Sequence, residues 1–185
     1  MLKINKINLK IGEKKILNDI SFEVKKGEIF NILGHNGSGK TSLLKSIIGL
    51  NKVNGEIFFD GENISKLDIS EKSEKGISYI MQEIPEYTGI SIKNYIKKIL
   101  EKNGKKIDDE KIFFELKNFF TNFGLDFEKY QERYFDSHLS GGERKKIEII
   151  TNFLMDKKFY LLDEIEASLD ATSRDVLIKI IKEKN

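Results

Sequence analysis

The chain has 185 residues, 39% hydrophobic and 34% charged, with one Pro and no Cys; that suffices for a domain with a buried core and fits neither a low-complexity nor a disordered chain. Lys and Arg number 32 against 30 Asp and Glu, a formal charge of +2, so the basic excess of a dedicated nucleic-acid binder is missing. Without Cys there is no disulfide, thiolate metal site or cysteine nucleophile, two His are a poor basis for a zinc centre, and no apolar run approaches the ~20 residues of a spanning helix. The start, MLKINKINLKIG, does not resemble a signal peptide. The expectation is a soluble, cytoplasmic protein with no nucleic-acid partner and no direct membrane span.

In chain order, Leu2, Ile4, Ile7, Leu9 and Ile11 alternate with polar residues, and Ile20, Phe22 and Val24 repeat the pattern, which predicts two antiparallel strands with one buried face. Lys25-Lys26-Gly27 is a turn, and the more continuously apolar residues 28–33 predict a strand near a sheet centre. Residues 39–50 carry Leu43, Leu44, Ile47 and Ile48 at a helical period, and short β segments follow at 56–59 and 76–81. Beyond Ile84 the texture turns helical. Residues 91–100 and 109–123 predict amphipathic helices, the second with Ile112, Leu116, Phe119 and Phe123 on one stripe and Phe113 and Phe120 beside it. These phenylalanines suit a helical core, with a partner groove as the other use. Lys97, Lys98, Lys102, Lys105 and Lys106 are interleaved with Glu101, Asp108 and Asp109, which suits a solvated face. A helix after Leu139 through Leu154, a strand over Phe159–Leu162 and a helix from about Ala171 follow. This order predicts an α/β core over 1–84 and 138–185, interrupted by a helical lobe over 85–137.

Gly34-His35-Asn36-Gly37-Ser38-Gly39-Lys40-Thr41 fits G-x-x-x-x-G-K-[ST] between a predicted strand and a predicted helix. Its glycines let successive N–H groups turn inward onto phosphate oxygens, and the following helix adds its positive end. Lys40 supplies a cation for the β and γ phosphates, and the Thr41 hydroxyl suits Mg²⁺. Gly34 through Ser42 is therefore the candidate ATP-binding stretch. Phe159-Tyr160-Leu161-Leu162-Asp163-Glu164 is an apolar strand ending in two acids. Asp163 falls at its C-terminal edge, where ligands gather in α/β sheets, and is placed to hold Mg²⁺ through water. Glu164 is placed to polarise a water in line with the γ phosphate. Leu139-Ser140-Gly141-Gly142-Glu143 before a helix is a second phosphate nest. Two such cradles in one chain make sense if two copies meet head to tail, each offering Ser140, Gly141 and Gly142 to the other's nucleotide. That argues for an ATP-dependent homodimer.

GHNGSGKT, Gln82, LSGGE, FYLLDE and Ser168-Leu169-Asp170 stand in the order and approximate spacing of an ABC-type ATPase: Walker A, Q-loop, signature, Walker B and D-loop. The resemblance implies a P-loop NTPase core of α/β class with an N-terminal antiparallel β subdomain and an inserted helical lobe. It also implies that Gln82 reaches Mg²⁺ or the attacking water and moves with the lobe, and that Asp170 lies at the contact between monomers. Within the family, Gly142-Glu-Arg-Lys-Lys-Ile-Glu-Ile-Ile150, the stretch 76–91 and Asp163-Glu-Ile-Glu-Ala-Ser-Leu-Asp170 are similar to SufC, the ATPase of the SUF iron–sulfur cluster assembly machinery. Ile11 before Gly12 takes the place where many transporter ATPases stack adenine on an aromatic ring. That likeness implies a SufB-like scaffold protein as partner; the alternatives are a membrane permease subunit, or a nucleotide-binding module with little turnover. One departure bears on turnover. His35 lies in the phosphate loop and His138 precedes the signature, so neither fits the family's switch His, and the chain is short at its C-terminus. The expectation is a shortened chain or weak hydrolysis.

Overall fold

The computed structural model describes residues 1–85 and 87–184. Glu86, part of the stretch similar to the SUF ATPases, and Asn185 lie outside the described residues. The chain forms two compact units, Met1–Tyr79 with Phe159–Asp163 and Ile80–Lys158 with Glu164–Lys184.

In the first unit β1 (Leu2–Ile11), β2 (Lys14–Val24), β3 (Asn54–Phe59) and the short β4 (Glu62–Asn63) make a sheet in the order β2-β1-β3-β4, every pairing antiparallel. Leu2, Ile4, Ile7 and Leu9 are all buried, and the odd step from Ile4 to Ile7 is absorbed by a shift in the β1–β2 register, with Lys6 at φ +51°. They pack with Leu43, Leu44, Ile47 and Ile48 from α1 (Lys40–Ile48) and with Ile57, Phe59 and Ile64. α1 ends on Gly49 in the left-handed region, whose N–H returns to the carbonyls of Lys45 and Ser46. α2 (Ile69–Lys75) starts in a capping box between Asp68 and Glu71. β5 (Ile77–Ile80) and β6 (Phe159–Leu162) form a separate two-stranded sheet that adds Ile77 and Leu161 to the core.

Residues 28–33, expected as a central strand, pair with no strand among the described residues. Ile29 and Phe30 are exposed and Leu33 is 90% exposed; Ile32 is partly buried, and Phe30 stacks on Phe22 with ring centroids 4.9 Å apart. An apolar run favours extended backbone, but a buried strand also needs hydrogen-bonding neighbours on both sides. Composition carries no record of those neighbours.

The second unit is helical: α3 (Ile92–Lys102), α4 (Glu110–Asn122), α5 (Phe127–Tyr130), α6 (Gly141–Leu154) and α7 (Ala171–Glu183). Each begins on a side-chain cap, from Ser91, Asp109, Asp126, Ser140 and Asp170 respectively, worth about 1 kcal/mol apiece. α6 is buried along its second half and packs against both α3 and α4. Leu116, Phe120 and Phe123 are in the core with Ile147, Ile150 and Leu154, whereas Phe114 is 65% exposed. Tyr87 and Tyr95 stack with Phe135 at centroid distances of 5.6 and 4.4 Å. Among the described residues no helix is long and apolar enough to cross a membrane.

Candidate functional site

The phosphate loop follows from a local conflict that only glycine resolves. Gly39, the cap of α1, sits at φ +98°, and a Cβ there would come within 3.2 Å of the Ile16 carbonyl and a Leu17 methyl. The chain can therefore turn from loop to helix in one residue and aim the N-terminus of α1 into the loop. His35, Asn36, Gly37 and Ser38 are exposed, and Lys40, Thr41 and Ser42 are half-buried in the helix's first turn. Ser38 N–H closes the turn onto His35 O at 3.1 Å. Lys40 Nζ folds across the loop, donating to Gly34 O at 2.9 Å and His35 O at 3.3 Å. Its ammonium thus already faces the loop's mouth, where oxygens of a phosphate would compete for it. His35 uses its ring on the Asn36 carbonyl, 2.9 Å from Nδ1.

Asp163 directly follows β6 and is 2% exposed. It accepts from Thr41 Oγ1 at 3.0 Å and from Tyr79 OH at 2.9 Å, so both of its oxygens have a hydroxyl donor. A Thr hydroxyl and a buried carboxylate held together are the hard oxygen donors that Mg²⁺ takes alongside phosphate oxygens and water. The residues present fit MgATP. Tyr79 was not legible as a site residue: a Tyr within a short apolar strand reads as packing.

In the second unit Gln82 Nε2 donates to Glu164 Oε2 at 2.9 Å across 82 residues of chain. Gln82 is exposed and Glu164 half-buried. Glu164 sits at φ +47°, a left-handed conformation that non-glycine residues adopt when their surroundings impose it. Ser140 caps α6 in a capping box: Glu143 N–H donates to Ser140 Oγ at 3.2 Å, and Ser140 N–H to Glu143 Oε2 at 2.7 Å. Gly141 is exposed at the tip of the helix. Gly142 faces the segment before α7, and a Cβ there would lie 3.0 Å from Ser168 O. Lys146 Nζ reaches Asp170 Oδ2 at 2.8 Å, and that hydrogen bond, with the Ser173 N–H, holds the Asp170 carboxyl well below the usual carboxylate range. α6 therefore binds the signature turn and the D-loop into one body.

Glu143 is held by more than its capping box. Tyr130 OH donates to it, and Arg133 lies 3.6 Å away with its guanidinium over the Tyr130 ring. Partial burial would raise its pKa, but the hydrogen bonds from Tyr130 and Ser140 and the Arg133 charge win and lower it. A depressed carboxyl stabilises the fold above its unfolded value of ~4.3, and that contribution is lost as pH falls through the lower folded value. The melting temperature of the wild type should therefore fall more steeply below about pH 4.3 than that of Glu143→Gln. Parallel pH curves for the two proteins would remove Glu143 as the group responsible.

A glycine-rich loop entering α1, with a Thr hydroxyl tied to a carboxylate at the end of β6, defines a P-loop nucleotide-binding protein of α/β class. The family model described as ABC transporter matches residues 17–167. An "Uncharacterized ABC transporter ATP-binding protein" of Methanocaldococcus jannaschii is 34% identical over 186 residues, covering 97% of this chain and 73% of that protein. The solved "Structure of ATP binding subunit of ABC transporter" superposes with a TM-score of 0.85 at 24% identity, over 99% of this chain and 74% of that one. The ADP- and Pi-bound dimer of the ATP-binding cassette MJ0796 gives 0.80 at 22% identity, over 99% and 84%. The chain belongs to the ABC transporter family, as its ATP-binding ATPase domain, with Mg²⁺ the usual partner ion of the nucleotide.

Proposed function

We propose that the chain is a nucleotide-driven subunit that binds MgATP on the Gly34–Ser42 stretch, pairs head to tail with a second copy and hydrolyses ATP to move a partner protein. The observation that carries this reading is the Thr41–Asp163 hydrogen bond, which joins the phosphate loop to the acid at the end of β6. Loop N–H groups and Lys40 hold the β and γ phosphates; Thr41 and Asp163, with Gln82, are the residues for Mg²⁺. When bound, the ion neutralises charge on the phosphate oxygens. Glu164 takes the proton from the water that attacks the γ phosphorus as the bond to the β-phosphate oxygen breaks, leaving ADP and phosphate. Ser140, Gly141 and Gly142 serve the nucleotide of the other copy.

The relatives' names favour a membrane permease as the partner, met from the cytoplasmic face by the helical lobe over 85–137. A second reading, a SufB-like scaffold for iron–sulfur cluster assembly, draws on Ile11, an exposed aliphatic before the first turn, and on Glu166, an acid two residues after Glu164. Tyr87 is packed on Tyr95 and Phe135, so replacing it would disturb the lobe itself; Phe114 and Tyr134 are the aromatics the lobe exposes among the described residues, Phe114 the more so. Phosphate release from MgATP and capture of candidate partners test both levels. If the permease reading holds, Phe114→Ala should weaken capture of a permease cytoplasmic loop by about 1–2 kcal/mol and leave nucleotide affinity alone. Capture of a soluble scaffold in preference to the loop would transfer the role to the second reading.

A further inference from the structure

The site's Gln is rooted in an unusual place. Met81, immediately before Gln82, has its carbonyl bonded by Lys145 Nζ. Lys145 and Glu148 lie one turn apart on α6 with Nζ and Oε2 3.3 Å apart, and they are 1% and 3% exposed. Burying two opposite charges this deeply is costly unless their remaining hydrogen-bonding capacity is also satisfied. Here the Met81 carbonyl gives the ammonium a second acceptor beside Glu148. Burial raises the Glu148 carboxyl pKa, against the lowering effects of Lys145 and Met81.

The helix that holds this pair also carries Ser140 at its N-cap and Lys146, bonded to Asp170. A neutral, apolar pair would have packed α6 against the same neighbours. What it could not do is grip the Met81 carbonyl and so fix where the next side chain leaves the backbone. That side chain is Gln82, and its amide donates to Glu164 at 2.9 Å.

We infer that Lys145 is a positioning residue for hydrolysis, holding the Met81 peptide so that Gln82 keeps Glu164 in place and follows any movement of α6. The inference rests on the ATPase reading of Glu164 and Gln82. Lys145→Met preserves the stem and removes the ammonium. It should lower kcat for MgATP hydrolysis about tenfold to a hundredfold, the scale on which small misplacements act, with nucleotide affinity within about twofold of wild type.

The deciding measurement is a cycle with Gln82→Ala. If Lys145 acts through Gln82, Lys145→Met costs little further turnover once Gln82 is gone. Lys145→Gln, which keeps a donor within reach of Met81 O, should recover part of the rate and carries the same cycle if Lys145→Met folds poorly. Additive losses, or loss of nucleotide affinity in step with kcat, would overturn the positioning role. A wild type without turnover, or a Gln82→Ala protein with full turnover, would overturn the underlying ATPase assignment instead, so the two failures are distinct.

Discussion

Glu164→Gln is expected to bind MgATP as the wild type does while hydrolysing it about 10²–10⁴-fold more slowly, the usual cost of losing a positioned general base. The substitution keeps size and shape, and the new side-chain carbonyl can still accept from Gln82 Nε2, which donates to Oε2 at 2.9 Å in the wild type. The loss would therefore be of basicity and not of geometry. Because binding persists without turnover, the variant should accumulate as an MgATP-held pair, visible as a dimer by sedimentation. Turnover within a few-fold of wild type would take the base role away from Glu164.

Lys40→Ala acts at the earlier step. Lys40 Nζ bonds loop carbonyls at 2.9 and 3.3 Å on an exposed loop, so its removal should scarcely disturb the fold. Against a polyphosphate it removes a charge-assisted hydrogen bond worth about 1.5–3 kcal/mol, which is about a tenfold to 150-fold rise in Kd. Titration calorimetry with MgATP measures this directly. An unchanged isotherm would mean that nucleotide binds somewhere other than the Gly34–Thr41 loop.

What the sequence discloses of this molecule depends on how local each feature is. GHNGSGKT, LSGGE and FYLLDE are contiguous, and each must bend or extend the chain within a few residues, so spacing alone locates them. The antiparallel pair β1 and β2 is legible from the alternation within Leu2–Ile4 and within Ile7–Leu9, but the odd step between Ile4 and Ile7 keeps both pairs on one face only through a shift in register that alternation does not announce. α2 is not legible although Asp68 and Glu71 carry its capping box in plain sight; the stretch lacks an apolar stripe long enough to register as helical. Tyr79 and Lys145 were not legible as site residues, because their partners Asp163 and Met81 lie 84 and 64 positions away. A faint signal existed for the second: Glu148 interrupts the apolar run Ile147 to Ile150, and an acid there must find a buried partner. Residues 28–33 failed in the opposite sense, since their apolar content promised a central strand that neighbouring backbone does not complete.

The most direct test of head-to-tail nucleotide sharing is ATPase activity in a mixture of two inactive variants, Lys40→Ala and Ser140→Arg. Each homodimer would lack either both phosphate loops or both signature turns. A mixed pair would unite one intact loop from the Ser140→Arg chain with one intact signature from the Lys40→Ala chain. Random pairing of equal amounts should then restore about a quarter of wild-type turnover, since half the dimers are mixed and each mixed dimer has one good site of two. A mixture no more active than either variant alone, with both proteins folded and the wild type active, would contradict the sharing of sites between copies.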